Sequence, residues 1–289
     1  MSFGWEILWK FQSENNQYLG GETVLQYLEY LETHVINKCN LNCKGCSHFS
    51  NIVEDEDSVV ELEVFERDFK RLRELFDHIF MIRLMGGEPF LNENLEKYVE
   101  IVRKYFPKSD LRILTNGILI PKVGDQLLNQ LSIKGVKIDI SCYKPTNDLR
   151  KEIENRLQMF GIEFDFSEVI NTFHRRLNLS GDNDKQEMYS CCPSNICTFI
   201  HDGKMAVCPA PFMSKFLNKR FNTSVDVESD LLDLNQPNIT AEIVKKYLKT
   251  PMKSCGFCSM PEDFKWQCGT KPVLEDWLIE KSMRRSTDV

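Results

Sequence analysis

Three cysteines within eight residues, Cys39, Cys43 and Cys46, constrain this chain more than any other feature. Their spacing, C-x3-C-x2-C, supplies three thiolates, one fewer than the four that normally hold a 4Fe–4S cluster. A cluster bound in this way keeps one iron without a protein ligand, so that a small molecule can bind there. Closely spaced cysteines also form structural zinc sites, for which His48 is a candidate fourth ligand. The spacing alone leaves both interpretations open.

Three further motifs follow the cysteines, each at the end of a strand-like apolar run. They are Gly86-Gly87-Glu88-Pro89, Thr115-Asn116-Gly117 and Ser141-Cys142. Two glycines let the backbone approach a ligand closely, and the carboxylate of Glu88 can accept a hydrogen bond from an ammonium group. Ligands in parallel α/β folds bind at the carboxyl ends of the strands. The motifs and the cysteines therefore predict a single site.

The four motifs, in this order, resemble those of the radical S-adenosylmethionine (radical SAM) enzymes over about residues 30 to 175. The resemblance implies that Cys39, Cys43 and Cys46 hold a 4Fe–4S cluster whose open iron binds SAM. The SAM-binding residues that it implies are Gly86, Gly87, Glu88, Asn116, Ser141 and Arg150. The family usually has an aromatic residue before the third cysteine, where it packs on adenine. Here that position is Gly45, and Phe49 is the candidate for the adenine contact.

Helix-like and strand-like stretches alternate from residue 58 to residue 170, which predicts parallel βα units. The periodicity predicts helices over 60–76, 94–105, 126–133 and 149–160, and strands over 32–37, 79–85, 111–115, 136–142 and 162–166. This length is too short for a closed eight-stranded barrel. The predicted fold is therefore α/β, a partial, open parallel β/α barrel of about five or six strands, as the resemblance also implies.

Seven more cysteines follow residue 190. Cys197 and Cys208 end a predicted hairpin with Asp-Gly at its turn, and Cys255-x2-Cys258 forms a tight knuckle. Two such pairs predict a site with four thiolates, with structural zinc as the alternative to iron–sulfur.

The pattern resembles the C-terminal extension of radical SAM enzymes called SPASM, or its short form, twitch. The resemblance implies one auxiliary iron–sulfur cluster, held by Cys208, Cys255, Cys258 and a fourth cysteine. For the fourth ligand we favour Cys197 over Cys192, whereas Cys191 and Cys268 are expected to be spare thiols.

These features divide the chain into four predicted parts. The parts are a lead-in over 1–28, a radical SAM core over 29–177, a twitch-like domain over 178–270 and an amphipathic C-terminal helix within 271–289. The net charge of −7 argues against a general nucleic-acid surface, and no apolar run is long enough to span a membrane. Eleven cysteines without a secretory signal predict metal binding in a reducing cytoplasm.

The resemblance implies an oxidoreductase-type enzyme that cleaves SAM to a 5′-deoxyadenosyl radical, with a flavodoxin or ferredoxin as the reducing partner. The run from Cys46 to Ser50 is similar to radical SAM proteins of surface-polysaccharide and sugar biosynthesis, so a small sugar or nucleotide sugar is the expected substrate. Dehydrogenation, epimerisation and dehydration are the candidate outcomes. The alternatives are a peptide-modifying maturase and a non-catalytic iron–sulfur or zinc module.

Cys142 is the candidate catalytic thiol, because an epimerase must return a hydrogen atom to its substrate radical. Packing is the alternative role for a buried cysteine. We therefore expect dehydrogenation or another outcome that needs no thiol donor.

Overall fold

The computed structural model describes residues 25–225 and 227–280, and its largest element is a sheet of eight strands. The described residues form ten strands in all, namely β1 (Tyr27–Ile36), β2 (His78–Gly86), β3 (Asp110–Thr115), β4 (Lys137–Ile140), β5 (Phe164–Phe166), β6 (Thr172–Leu177), β7 (Phe199–His201), β8 (Lys204–Ala206), β9 (Leu232–Asp233) and β10 (Cys258–Lys265). Their order in the large sheet is β5-β4-β3-β2-β1-β7-β8-β9. Neighbours from β5 to β7 are parallel, whereas β8 and β9 are added antiparallel. β6 and β10 form a separate antiparallel pair.

Helices alternate with the parallel strands and cover their apolar residues. They are α1 (Leu62–Leu75), α2 (Leu95–Tyr105), α3 (Asp125–Ile133), α4 (Lys144–Asp148), α5 (Arg150–Met159), α6 (Lys185–Ser190), α7 (Ala210–Phe221) and α8 (Ala241–Tyr247). Phe65, Phe69 and Leu72 of α1 recur at helical spacing and are buried. Phe65 packs on Phe69 with their ring centroids 4.6 Å apart, and edge-on against Tyr98 of α2. The 3.6-residue period of the apolar positions therefore fixes which face of α1 meets the core.

The predicted fold class is confirmed. The five strands and four helices expected between residues 30 and 170 are all present, β1 to β5 with α1, α2, α3 and α5. Within the described residues the large sheet has two edges, β5 and β9, so it is a partial, open barrel and not a closed one. The carboxyl ends of β1 to β4 lie side by side because these strands are parallel neighbours.

The hairpin predicted around Asp202-Gly203 is formed by β7 and β8. Both turn residues have positive φ, 49° and 71°, as a two-residue hairpin turn requires. Asp68 of α1 accepts a hydrogen bond from the Gly203 N–H at 2.6 Å, which docks the turn on the helix. Burial raises the pKa of Asp68 to about 7, whereas the Gly203 N–H lowers it.

The amphipathic helix expected within 271–289 is wrong over residues 271–279. That segment contains a single 3-10 turn, Leu274–Asp276. The Asp276 side chain stabilises the turn by accepting a hydrogen bond from the Val273 N–H at 3.1 Å. The rest of that prediction, and most of the predicted lead-in, lies outside the described residues. Among the described helices, none is long and apolar enough to cross a membrane.

Candidate active site

The three-cysteine loop begins directly after β1 and presents its thiols at the carboxyl end of the sheet. The backbone N–H groups of residues 48, 49 and 50 face the sulfur of Cys46. Burial raises the pKa of this thiol, and these N–H groups oppose the rise. Consecutive backbone N–H groups that converge on one point form a concavity suited to an anion and are common at iron–sulfur sites. These N–H groups are therefore the local contribution that favours a thiolate at Cys46, against the effect of burial.

Cys39 is fixed by the motif at the end of β3. The Asn116 side chain donates a hydrogen bond to Asn40 Oδ1 at 2.7 Å, and its Nδ2 lies 3.7 Å from Cys39 Sγ. The Leu41 N–H lies 3.4 Å from the same sulfur. Burial raises the pKa of Cys39 to about 12, so a metal that binds there must displace a proton. The prediction that the TNG motif joins the cysteine site is consistent with these contacts.

The two glycines of the GGEP motif make room for the chain itself. A Cβ on Gly86 would lie 1.8 Å from the Ile36 carbonyl oxygen, and one on Gly87 would lie 2.1 Å from the Lys38 carbonyl oxygen. The Gly87 and Glu88 N–H groups donate to these same two oxygens at 3.0 Å. The glycines therefore clamp the segment that leads from β1 to Cys39. This close approach to protein backbone was not predicted from the sequence, and the expected approach to a ligand stays a prediction.

Glu88 is fully buried and its carboxylate is already engaged. Oε1 accepts from the Thr115 hydroxyl at 2.7 Å and from the Phe90 N–H at 3.1 Å, and Oε2 accepts from the Asn116 N–H at 2.8 Å. Burial raises the pKa of Glu88 to about 7, and these three donors oppose the rise. The carboxylate thus ties the loop after β2 to the end of β3. This contact with the protein was missed by the sequence analysis, which assigned the carboxylate to the SAM ammonium.

A segment after β10, residues 266–278, crosses the cysteine loop, and we call it the strap. The Lys44 N–H donates to the Gln267 oxygen and the Gly269 N–H to the Asn42 oxygen, both at 2.9 Å. The Trp266 indole Nε1 lies 3.3 Å from Cys43 Sγ. The Trp277 indole donates to the Cys46 carbonyl at 2.8 Å. The strap therefore covers the cysteine loop with backbone pairing and with two indole donors.

Phe49 and His48 lie elsewhere than expected. Phe49, the candidate for the adenine contact, is buried against Trp277 with the ring centroids 5.7 Å apart. His48 Nδ1 lies 2.9 Å from His34 Nε2, and the two rings stack. Burial lowers the pKa of His48 to about 4, so the ring is neutral. These contacts assign Phe49 to the core and pair His48 with another histidine.

Tyr143 and Cys142 follow β4 and have different surroundings. Burial raises the pKa of Tyr143, and the charges of the three loop cysteines and of Glu88 raise it further. The Tyr143 hydroxyl therefore lies near the site. Its ring stacks on Trp266 at 5.1 Å. Cys142 is fully buried, with its sulfur 3.9 Å from Asn147 Oδ1. Its contacts are those of a packed thiol, the alternative to the hydrogen-donor role.

Ser141 is half-buried at the carboxyl end of β4, where its N–H donates to the Thr115 carbonyl at 2.8 Å. Arg150 donates to Glu154 at 2.9 Å and lies over the Phe166 ring at 4.2 Å. Its positive charge also lowers the pKa of Cys142, against the rise due to burial. The expected contact between Arg150 and the SAM carboxylate remains a prediction.

Four cysteines converge beyond the sheet. Burial is the main reason why the pKa of Cys208 is well above its usual range. The charges of Cys258, Cys192 and Cys255 raise this pKa further. Cys192 and Cys255 likewise raise the pKa of Cys258, and Cys192 raises the pKa of Cys255. Every pair within this set of four is thus close enough to interact.

Cys197 lies against a buried charged network in the barrel, with Cys192 also close enough to raise its pKa. Its thiol donates a hydrogen bond to Glu32. Arg83 lies 3.7 Å from Glu32 and 2.9 Å from Asp139. The interactions group Cys192 with Cys208, Cys255 and Cys258, so they favour Cys192 as the fourth thiol, and the preference for Cys197 stays a prediction. Cys197 comes just before β7, and the pairing of β7 with β1 carries it to Glu32.

The sulfurs of both cysteine sets are spaced more widely than the ligands of a single zinc ion. In any three of the described cysteines, at least two sulfurs lie more than 4.8 Å apart. Zinc with bonds of about 2.3 Å holds tetrahedral sulfurs only about 3.8 Å apart. A single zinc ion would therefore need these sulfurs to move closer together, whereas three or four thiolates are the donor chemistry of an iron–sulfur cluster.

The sequence analysis missed Tyr143, Trp266 and the place of Cys268 beside Cys43. Trp266 and Cys268 follow a strand whose partner, β6, is remote in sequence, so periodicity gives no signal for their position. Tyr143 directly follows the Ser141-Cys142 motif, which is the one signal that could have identified it.

Residues 33–175 match the family model described as the Radical SAM superfamily. A GTP 3′,8-cyclase from Sulfurovum sp. (strain NBC37-1) is 30% identical over 122 residues, which are 41% of this chain and 36% of that protein. A GTP 3′,8-cyclase from Nautilia profundicola is 28% identical over 134 residues, 45% of this chain and 41% of that protein. The matched segment is thus well under half the length of these curated relatives.

Two solved structures match this chain with TM-scores below 0.5. BtrN in complex with AdoMet and 2-DOIA has a TM-score of 0.46 at 17% identity, covering 82% of this chain and 94% of that one. Native anSMEcpe with bound AdoMet has a TM-score of 0.38 at 23% identity, covering 48% and 43%.

Proposed function

Because residues 33–175 match the Radical SAM superfamily, we propose that this protein is a radical SAM enzyme that abstracts a hydrogen atom from a small sugar or nucleotide sugar. The observation that carries the proposal is the three-thiol loop, whose Cys46 sulfur faces backbone N–H groups and which the GGEP glycines clamp to β2. When bound, a 4Fe–4S cluster supplies the electron that cleaves SAM into methionine and a 5′-deoxyadenosyl radical.

The chain's own residues bind the cluster, fix the relative positions of the motifs and shield the site from water. Cys39, Cys43 and Cys46 are the ligands for the cluster. Glu88 fixes the relative positions of the loop after β2 and the end of β3, from which Asn116 reaches Cys39. Tyr143 and Trp266, stacked over the loop, exclude water from it. Exclusion of water protects a carbon radical and strengthens the electrostatic contacts inside the site.

A buried polar network of the sheet supports a polar substrate. Arg83, Arg112 and Asp139 are buried there, with both arginines 2.9 Å from the Asp139 carboxylate. Arg83 Nε has no hydrogen-bond partner among the described residues. A buried donor without an acceptor is unfavourable, so a substrate hydroxyl that accepts from it would be stabilised. The similarity of the run from Cys46 to Ser50 to sugar-modifying radical SAM proteins supports the same substrate class.

The second cysteine set supports an oxidative outcome. We assign Cys192, Cys208, Cys255 and Cys258 as ligands of one auxiliary iron–sulfur cluster in a twitch-like domain. Such a cluster can accept the electron that a substrate radical loses, so that dehydrogenation needs no thiol donor. Cys142, buried against Asn147, is then a packing residue. The proposed electron donor to the loop cluster is a flavodoxin or ferredoxin in the cytoplasm.

Anaerobic reconstitution with iron and sulfide tests the enzyme assignment. With SAM and dithionite, the protein is expected to form 5′-deoxyadenosine and to contain about eight irons per chain. Replacing Cys39, Cys43 and Cys46 with Ala should abolish SAM cleavage and leave about four irons. Cys191→Ser, at an exposed thiol that belongs to neither assigned ligand set, is the matched control. A reconstituted protein that forms no 5′-deoxyadenosine would support the non-catalytic module instead.

Substrate class is tested by incubation with nucleotide sugars, free sugars, GTP and candidate peptides. The expected result is 5′-deoxyadenosine formation coupled to a mass loss of two hydrogens from a sugar. Deuterium incorporated from deuterated water at a carbon of inverted configuration, and lost in Cys142→Ala, would establish an epimerase instead. A peptide that alone gives coupled turnover would replace the sugar assignment with peptide modification.

A further inference from the structure

The strap places one cysteine directly opposite a cysteine of the three-thiol loop. Cys43 and Cys268 form an isolated antiparallel β-bridge. The flanking hydrogen bonds run from the Lys44 N–H to the Gln267 oxygen and from the Gly269 N–H to the Asn42 oxygen. Because neither cysteine bonds to the other's backbone, this is a non-hydrogen-bonded pair, in which side chains approach most closely.

The geometry of such a pair suits a covalent link. Directly opposite residues of this kind have Cα atoms about 4.5 Å apart and side chains on the same face. A disulfide requires Cα atoms about 4.4–6.8 Å apart. Both thiols are free in the structure, and Cys43 is buried whereas Cys268 is partly exposed. An oxidant in solution therefore reaches Cys268 first.

We propose that Cys43 and Cys268 form a reversible cross-strand disulfide when the three-cysteine site holds no cluster. A low-molecular-weight disulfide such as oxidised glutathione is the oxidant. The Cys268 sulfur attacks it and releases one glutathione, with loss of the Cys268 proton. The Cys43 sulfur then attacks Cys268, loses its own proton and releases the second glutathione. Two thiols are oxidised and one external disulfide is reduced to two thiols.

The disulfide has two consequences for the loop. It removes Cys43 from the ligand set, so the loop cannot accept a cluster until it is reduced. It also keeps the Cys43 sulfur at the reversible oxidation level of a disulfide, short of the irreversible sulfinic state. The pair is thus a redox-controlled modification site that decides whether the loop is competent for cluster insertion.

Peptide mapping of the full chain tests the pairing. The protein is freed of iron by chelation under reducing conditions, desalted anaerobically, and treated with oxidised glutathione before digestion without reductant. The expected product is a linked peptide that contains Cys43 and Cys268, with two free thiols lost. Protein that retains its cluster should give no such peptide. Linkage of Cys43 to Cys39 or Cys46 instead, with Cys268 left free, would overturn the proposal.

Iron uptake provides a second readout. After oxidation and removal of excess oxidant, reconstitution without reductant should leave the loop site empty, and dithiothreitol should restore it. Cys268→Ser should take up iron at the loop site after the same oxidation, whereas the control Cys191→Ser should behave as wild type. Equal loss of uptake in Cys268→Ser would show that other thiols cause the block. Both readouts are independent of SAM cleavage and of substrate, so the proposal can fail or succeed separately from the proposed function.

Discussion

Replacing Glu88 with Gln perturbs a buried carboxylate whose hydrogen bonds are all accounted for. Oε1 and Oε2 accept from the Thr115 hydroxyl and from the Phe90 and Asn116 N–H groups. A glutamine offers one acceptor oxygen and one NH2 group at the same place. The Thr115 hydroxyl can rotate to accept a hydrogen bond from the new NH2 group. In either orientation of the amide, however, one of the two backbone N–H groups faces that NH2 group, which is itself a donor. Leaving one buried N–H unsatisfied destabilises the fold by about 1–3 kcal/mol.

The expected consequence is loss of stability together with loss of SAM affinity. Asn116 reaches Cys39 from the end of β3, so a shift of β3 relative to the loop after β2 disturbs the site without removing a ligand. The free energy of unfolding is measured by denaturant titration, and SAM affinity by anaerobic calorimetry on the reconstituted protein. Iron content should be unchanged. Glu93→Gln, on the surface of the same loop, is the matched control.

Thr115→Val separates a positioning role from a direct contact. Thr115 is 2% exposed, donates to Glu88 and accepts from the Gly117 N–H at 2.9 Å, so any effect on SAM passes through Glu88 or through the backbone of the TNG motif. Both substitutions should lower stability and SAM affinity, and the double variant should be less than additive because they break one shared network. Weaker SAM binding in Glu88→Gln at unchanged stability, with Thr115→Val binding normally, would refute this reasoning and establish a direct contact with the SAM ammonium.

Three further predictions concern other parts of the chain. Below about pH 7 the folded protein holds a proton on Asp68, so its free energy of unfolding should fall by up to about 4 kcal/mol as pH rises from 4 to 7. Asp68→Asn keeps the acceptor for Gly203 and should flatten that pH profile in denaturant titrations, whereas parallel profiles of the variant and the wild type would contradict the prediction. Trp266→Phe removes the N–H near Cys43 and should lower the reduction potential of the loop cluster by about 40 mV, equivalent to about 1 kcal/mol, in a titration followed by electron paramagnetic resonance; an unchanged potential would mean that the indole only packs. Cys192→Ser should reduce the iron of the reconstituted protein from about eight to about four per chain, whereas Cys197→Ser should leave it at about eight; the reverse result would restore Cys197 as a ligand.

Local periodicity was sufficient to predict the parallel core. The segment that forms α1 repeats its apolar residues every three to four positions, and β2 is a largely continuous apolar run. Each segment therefore predicts its own secondary structure. The placement of Cys39, Gly86 and Asn116 at one edge then follows from the parallel order of the strands. These features depend on residues that are close in sequence, or on a topology that the alternation implies.

The ligand choice between Cys192 and Cys197 depends on a different kind of information. Cys197 precedes β7, which pairs with β1 through a single register position, Glu32 with Phe199. That pairing joins segments more than 160 residues apart, and it turns the Cys197 thiol towards Glu32. No local pattern encodes such a contact. The same is true of Glu88, whose acceptor role depends on the approach of β3.

The strap also explains the departure at Gly45 from the family's motif. Gly45 has φ of +65°, and a Cβ there would lie 2.8 Å from the Asp276 carbonyl oxygen and 2.9 Å from the Phe264 ring. An aromatic residue at this position would therefore exclude the strap. In its place β10 and the strap bring Phe264, Trp266 and Trp277 against the loop, with Trp277 bonded to the Cys46 carbonyl. The glycine inside the motif and the aromatic residues more than 200 positions later are thus two halves of one packing arrangement, which makes the C-terminal segment part of the cysteine site.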